Sequence, residues 1–257
     1  MDRLAIINAE SDRFARVLAE CAADARVPSC PDWDARDLLW HLTTVQHFWT
    51  GVLSSGARTD DEAEALEEQE RPESLDALLA RREEATAALI GQLVAHGDAD
   101  AAWSWFAADQ TVGFTRRMQT YEATLHRVDA EQAAGIEVTT IAPEVAAGAV
   151  DHCVDVMWWG WAPEGSTYEP QSVVELVATD TDQRWLVQLG HLVGESGGES
   201  YDFPRAGRAE SGTPVATVSA PVHDLALWAW TRGTGVEITG DEAGQRDIAA
   251  LIDFGIQ

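Results

Sequence analysis

Hydrophobic positions in the first half of the chain recur every three, four or seven residues, as on one face of an amphipathic helix. Four such stripes are present, spanning Leu4 to Cys21, Leu38 to Val52, Leu75 to Leu93 and Phe114 to Val128. Asp34, with Asp37 three residues later, is the expected N-cap of the second helix. Residues 59–73 hold eight carboxylates around Pro72 and are predicted as a solvated loop. The pattern therefore predicts a four-helix bundle over residues 1–140.

From about residue 165 the pattern changes to shorter, β-rich runs separated by Gly and Pro. Before these runs, Val145 to Trp161 is predicted as one further helix. Four strands are then expected, at Ser172 to Ala178, Arg184 to Leu192, Val215 to Ser219 and Val236 to Thr239. Two helices are expected from about His223 to Arg232 and from Glu242 to Leu251. Residues 141–257 are therefore predicted as a smaller α+β domain, which makes the fold class of the whole chain α+β.

The composition and net charge limit the classes of function that the protein can have. The 257 residues are 46% hydrophobic and 24% charged, as in an ordinary globular protein. The 44 acidic and 17 basic residues give a net charge of -27, which argues against nucleic acid and anionic membranes as partners. The three cysteines form no Cys-x-x-Cys pair, so a disulfide framework is not expected. No apolar run reaches the ~18 residues of a membrane helix and no signal peptide is apparent, so a cytoplasmic protein is expected.

Three residues could together bind a metal ion. His41 lies on the apolar stripe of the second helix, where an inward imidazole is either a hydrogen-bonded core residue or a ligand. Glu122 and His126 are four residues apart, hence on one face of the fourth helix, either as a surface pair or as two ligands of one ion. With His41 across the bundle, the set of two imidazoles and one carboxylate suits zinc and leaves a fourth position open.

Two more charged residues have an ordinary and a functional interpretation. Asp129, three residues after His126, is either a solvated carboxylate or the acceptor for the other ring N–H of a ligating histidine. Arg232 follows an apolar helical segment, where an arginine commonly interacts with the helix C-terminus. Its planar, permanently charged guanidinium is also suited to holding a substrate carboxylate. The spacing of these residues leaves both alternatives open.

The segment from Val27 to Leu42 contains Pro-Ser-Cys-Pro-Asp-Trp and ends in His-Leu, and the segment from Tyr121 to Glu131 contains Glu-x-x-x-His-Arg-x-Asp-Ala-Glu. Both resemble motifs of the mycothiol-dependent maleylpyruvate isomerase family of actinobacteria. The resemblance implies a DinB-like metal-binding bundle followed by a sterol-carrier-like domain, with His41, Glu122 and His126 as zinc ligands. The tail from Ala226 to Asp241 also resembles the family and implies that Arg232 lies near the active cleft.

The resemblance and the candidate residues lead to one principal expectation. The protein is expected to be an enzyme that depends on zinc or another divalent metal. The metal would activate mycothiol, or a related small thiol, for addition to or transfer onto an electrophilic small molecule. The protein would act as an isomerase or an S-transferase, with Arg232 as a catalytic residue. Two alternatives stay open: a non-catalytic protein that binds metal or a hydrophobic small molecule, and a zinc hydrolase that uses no thiol.

Overall fold

The computed structural model describes residues 1–256, which divide into two compact units. The first comprises residues 1–139 and is helical apart from one short hairpin. The second comprises the described residues from Thr140 onward and combines helices with a β-sheet. The predicted α+β fold class, a helical unit followed by a unit containing a sheet, is confirmed.

Four long helices build the first unit: α1 (Arg3–Glu20), α2 (Ala35–Ser55), α4 (Leu75–Ala95) and α5 (Val112–Ala133). Helices α1 and α2 each pack against both α4 and α5, so the four enclose a single core. Apolar side chains spaced three or four apart on each helix are buried there, including Phe14, Leu38, Leu42, Leu89 and Phe114. The core therefore follows from the periodicity of the sequence.

The start of α2 is fixed by a capping box. The Asp34 side chain accepts hydrogen bonds from the backbone N–H groups of Arg36 and Asp37, both at 2.9 Å. The Asp37 carboxylate in turn accepts from the N–H of Asp34 at 3.0 Å. This confirms the predicted cap, and it places His41 near the end of the second helical turn.

Two elements of the first unit differ from the sequence prediction. The acidic stretch predicted as a loop contains a short helix, α3 (Asp60–Glu64), because Thr59 caps it and three carboxylates occupy its first turn, where the helix dipole favours them. A hairpin of β1 (Arg26–Val27) and β2 (Cys30–Asp34) precedes α2. Its strands are too short to give an alternating pattern, so the sequence did not indicate it.

Several charged side chains are buried inside the bundle, and among the described residues Arg82 is the one that lacks a charged partner. Arg82 on α4 is 1% exposed, and its Nη2 donates to Gln46 Oε1 and, at 2.7 Å, to Thr86 Oγ1. Within residues 1–256 no acidic side chain pairs with it, and its Nε and Nη1 atoms have no hydrogen-bond acceptor. Burial alone lowers the pKa of Arg82 to about 9. The core thus holds a cation without a counter-ion.

A five-stranded sheet with the order β5-β4-β3-β6-β7 forms the centre of the second unit. The strands are β3 (Thr167–Ala178), β4 (Arg184–Ser196), β5 (Glu199–Arg208), β6 (Ala216–Ala220) and β7 (Glu237–Gly240). Only β3 and β6 pair in parallel, and the other neighbours are antiparallel. The unit also contains α6 (Pro143–His152), α7 (Val222–Ala229) and α8 (Glu242–Phe254), and α8 packs on the sheet.

Three predictions for this unit need correction. Strand β5 was missed because it is an edge strand whose residues are mostly partly exposed, with Pro204 and Gly207 within it. The helix predicted up to Trp161 is α6 followed by a π-helical turn, Cys153–Met157, and Gly160 beyond it has a φ of 61°. Helix α7 ends at Ala229, before Arg232, because Thr231 is left-handed with a φ of 62°.

Candidate metal centre

Three side chains from two helices meet in the first unit. His41 comes from α2, and Glu122 and His126 come from successive turns of α5. Each offers one ligand atom, and these atoms all lie within 4.8 Å of one another. The imidazole centroids of His41 and His126 are 4.9 Å apart, and Glu122 Oε2 lies 3.2 Å from His126 Nε2. The structure therefore brings together the three residues that the sequence indicated as ligands.

Asp129 hydrogen-bonds to His126 at the ring nitrogen that faces away from Glu122. Its Oδ2 lies 2.8 Å from His126 Nδ1, and the Asp129 side chain is completely buried. A hydrogen bond from Nδ1–H to this carboxylate fixes the ring orientation and leaves Nε2 directed at the side where Glu122 lies. The sequence had left Asp129 open as a solvated carboxylate, and its burial removes that interpretation.

The electrostatics of this cluster favour a cation. Burial acts to lower the pKa of His126, but the hydrogen bonds and charges of Asp129 and Glu122 outweigh it and raise the pKa to about 9. Without a metal, the imidazole is therefore protonated near neutral pH and lies between two carboxylates. Two imidazoles and a carboxylate are ligands that suit zinc, so the donor set fits a divalent ion that replaces this proton.

Two residues of the β1–β2 hairpin touch the cluster. Ser29 Oγ donates to Asp129 Oδ1 at 2.5 Å, and the ring of Trp33 lies 4.6 Å from that of His41, tilted by 43°. Sequence reasoning missed both contacts, although both residues lie in the Pro-Ser-Cys-Pro-Asp-Trp segment that carries the resemblance. Their presence makes the hairpin part of the surroundings of the centre.

A cavity of about 590 Å³ lies along α2, beginning within one turn of His41. Its walls include Trp40, Phe48 and Trp49, together with Leu66 and Glu67. The volume is in the range of small-molecule sites, and an aromatic wall with a few polar groups is typical of them. Glu122 keeps 19% of its side chain exposed, whereas the side chain of His126 is 7% exposed.

Arg232 lies in the second unit, beyond the end of α7. Its backbone N–H donates to Leu227 O and its Nη1 to Trp230 O, both at 2.7 Å. The preceding residue, Thr231, is β-branched and left-handed, a conformation that costs energy and is kept only where surrounding contacts enforce it. The turn therefore holds the guanidinium in place, whereas its predicted role in catalysis stays a prediction.

Comparisons with known proteins identify the family of the first unit. Residues 4–131 match the family described as mycothiol maleylpyruvate isomerase N-terminal domain. Through this domain, the chain belongs to the mycothiol maleylpyruvate isomerase family. The family resemblance expected from the two motifs is confirmed. No curated protein sequence matches the chain.

Two solved structures resemble the chain. One is a crystal structure of the mycothiol-dependent maleylpyruvate isomerase, with 16% identity and a TM-score of 0.61. The other is a histidine-to-alanine mutant of the mycothiol-dependent maleylpyruvate isomerase, with 15% identity and a TM-score of 0.62. Each comparison covers 93% of both chains, and at these identities it establishes a shared fold. No helix among the described residues is long and apolar enough to cross a membrane.

Proposed function

We propose that this protein is a metal-dependent enzyme that uses mycothiol, or a related small thiol, to act on an electrophilic small molecule. The observation that carries the proposal is the convergence of His41, Glu122 and His126 within 4.8 Å, inside a domain of the mycothiol maleylpyruvate isomerase family. Three protein ligands are the number typical of catalytic zinc sites, which keep a fourth position for water or substrate. The donor set therefore favours catalysis over a purely structural metal.

The metal is zinc or another divalent ion, and when bound it lowers the pKa of a coordinated thiol and so supplies a thiolate at neutral pH. The protein's own residues prepare the site. Asp129 keeps the proton of His126 on Nδ1, so that Nε2 is available as a ligand. Glu122 adds a negative charge on the same side of the imidazole, at 3.2 Å from Nε2. The proton on Nε2 leaves when a metal binds.

For the electrophile, we propose a compound with a conjugated cis double bond as the isomerase substrate. The thiolate sulfur would add to one carbon of the double bond, and the π electrons would move onto the conjugated carbonyl oxygen as an enolate. After rotation about the resulting single bond, the enolate would re-form the double bond in the trans geometry and expel the thiolate unchanged. Arg232 would hold a carboxylate or the developing oxyanion of this substrate. In an S-transferase, the same thiolate would displace a leaving group and remain on the product.

Metal content tests this proposal directly. We expect purified full-length protein to contain about one zinc ion per chain by elemental analysis, and His126→Ala to lose it while staying folded. Mycothiol titrated into the metal-loaded protein should then give saturable heat in a calorimeter. His191→Ala, a substitution in the second unit, is the matched control and should keep its metal. A folded wild-type protein that cannot take up zinc would contradict the proposal.

The aromatic cavity beside α2 favours a second candidate function, which is binding of a hydrophobic small molecule without catalysis. Thermal-shift measurements separate the two functions, because a ligand that binds the native state raises the unfolding temperature. Stabilisation of the metal-loaded protein by mycothiol supports the enzyme. Stabilisation by aromatic or lipid ligands, with no effect of any thiol, supports the binding protein.

A further inference from the structure

The two histidines of the candidate metal centre belong to different helices, yet both are contacted by one short hairpin. Ser29 lies in the hairpin turn between β1 and β2, and Trp33 lies on β2. Ser29 reaches the α5 side of the centre, and Trp33 reaches the α2 side. We propose that Ser29 and Trp33 are positioning residues that set how His126 and His41 face a shared metal ion. This inference rests on the proposed metal-dependent function.

Ser29 acts on His126 through Asp129. The Asp129 carboxylate is completely buried and uses its two oxygens differently, Oδ1 accepting from Ser29 Oγ at 2.5 Å and Oδ2 facing His126 Nδ1 at 2.8 Å. A carboxylate bound at both oxygens cannot rotate without breaking a hydrogen bond, and a buried one loses more by doing so than an exposed one. The Ser29 hydroxyl therefore locks the group that orients the imidazole.

Trp33 acts on His41 directly. The two rings are 4.6 Å apart with a tilt of 43°, so the indole covers one side of the imidazole and restricts its rotation. His41 is only partly buried and lies on a helix, where the backbone alone allows more than one side-chain rotamer. The indole favours the rotamer in which the ring of His41 lies 4.9 Å from that of His126.

The hairpin is itself held rigidly enough for this role. Val27 on β1 is fully buried and belongs to the core cluster that includes Phe14 and Leu38. At the other end, β2 leads into the Asp34 capping box, so the chain enters α2 with a fixed direction. The hairpin contacts both α2 and α5. It therefore spans the two helices that supply the ligands, and it is anchored on both sides.

Zinc affinity of the full-length, metal-free protein tests the assignment, measured by competition with a chromophoric chelator. Outer partners of metal-binding histidines typically change affinity 10- to 100-fold. We expect Ser29→Ala to weaken zinc binding about tenfold, and Ser29→Thr, which keeps a hydroxyl, to restore it. Trp33→Leu should weaken binding by a similar factor, and Trp33→Phe should weaken it less because a ring remains. The matched control is Ser54→Ala, an exposed serine on α2.

A second readout separates positioning from general stability. The visible absorption of Co²⁺ bound in place of zinc reports ligand geometry, and we expect it to change in Ser29→Ala and Trp33→Leu but not in Ser54→Ala. Equal zinc affinities and identical Co²⁺ spectra for wild type, Ser29→Ala and Trp33→Leu would overturn the inference while leaving the metal site standing. A wild-type protein that binds neither ion would overturn the proposed function itself. If Ser29→Ala does not fold, the zinc affinities and Co²⁺ spectra of Trp33→Leu and Trp33→Phe test the inference.

Discussion

Asp129 Oδ2 lies 2.8 Å from Nδ1 of His126, one turn earlier on the same helix. Because the carboxylate is buried and the imidazole nearly so, water does not compete for this hydrogen bond. The pair therefore keeps a proton on Nδ1 of His126 and leaves Nε2 as the nitrogen that faces Glu122. The arrangement makes Asp129 the group on which the proposed metal chemistry of α5 depends.

We expect Asp129→Asn to lower zinc affinity about 10- to 100-fold, because the amide cannot supply the charge that favours Nδ1–H. Chelator competition measures this affinity. Asp12→Asn, on the surface of α1, is the control and should leave the affinity unchanged. Unaltered zinc binding by Asp129→Asn would show that His126 is oriented by the helix alone.

The pH dependence of metal binding follows from the charge of His126. Since its pKa is about 9 without metal, the imidazole carries a proton at neutral pH that zinc has to displace. Apparent zinc affinity should therefore rise with pH, about tenfold per unit for one proton, and level off near pH 9. Chelator competition at about pH 6.5 and about pH 8 measures the slope. In Asp129→Asn the pKa falls, so the slope should flatten over the same interval; an equal slope would contradict this account.

Glu131 makes the free energy of unfolding depend on pH in acidic solution. Burial acts to raise its pKa, but hydrogen bonds from Thr139, Arg127 and Arg13 outweigh this and hold the pKa below the ordinary value of 4.5. A depressed carboxyl pKa adds stability above about pH 4.5 that is lost as the pH falls through the folded-state value. We expect Glu131→Gln to lower the free energy of unfolding by about 3 kcal/mol at pH 7, because the buried Arg127 loses a charged partner.

Urea unfolding of both proteins between about pH 3.5 and about pH 7 checks this prediction. The difference between wild type and Glu131→Gln should narrow as the pH falls. Glu137→Gln, on an exposed residue nearby, serves as the control. A difference that stays constant with pH would mean that Glu131 contributes through packing and not through its charge.

Replacing Arg82 should have the opposite effect on stability. Its buried guanidinium has no carboxylate partner among the described residues, and Thr86 and Gln46 still hydrogen-bond to each other without it. Substitution of buried charges by apolar residues of similar volume is often neutral or stabilising by 1–4 kcal/mol. We therefore expect Arg82→Met to raise the unfolding temperature or leave it unchanged, in a calorimetric scan. The control is Arg81→Met, which replaces the partly exposed neighbouring arginine. An unfolding temperature of Arg82→Met well below that of Arg81→Met would contradict this expectation.

Arg232 can be tested with a dicarboxylate substrate that the metal-loaded enzyme turns over. Loss of a charged hydrogen bond to substrate should lower kcat/KM about 10- to 100-fold in Arg232→Ala. The effect should shrink for a neutral analogue, and Arg246→Ala, on an exposed arginine of α8, should have none. Unchanged turnover of the dicarboxylate would contradict a role of Arg232 in binding the substrate.

The sequence predicted most of what periodicity and spacing encode. Helical stripes located the four long helices, and a spacing of four residues put Glu122 and His126 on one face of α5. That His41 meets this pair depends on how the helices pack, and here the resemblance to the family was needed as well as the periodicity. Asp34 was recognisable as a cap because its role needs only three neighbouring residues.

What could not be predicted depends on contacts between distant residues. Ser29 and Trp33 reach the candidate centre only because a two-residue turn folds them back, and no local pattern marks strands as short as β1. Arg82 sits on α4 at a helical position that buries it, but charge alone would have placed it at the surface. Edge strand β5 lacks the two-residue alternation of buried and exposed positions that its neighbour β4 shows.

The three candidate ligands come from only two of the four long helices, α2 and α5. An ion shared by His41 and the Glu122–His126 pair would join these helices at one level of the bundle, with α3 and α4 lying between them in the chain. Such an ion acts as a removable cross-link, present in the native state and absent from the unfolded one. Removing the ion with a chelator would then abolish the proposed activity and would also weaken the association of α2 with α5.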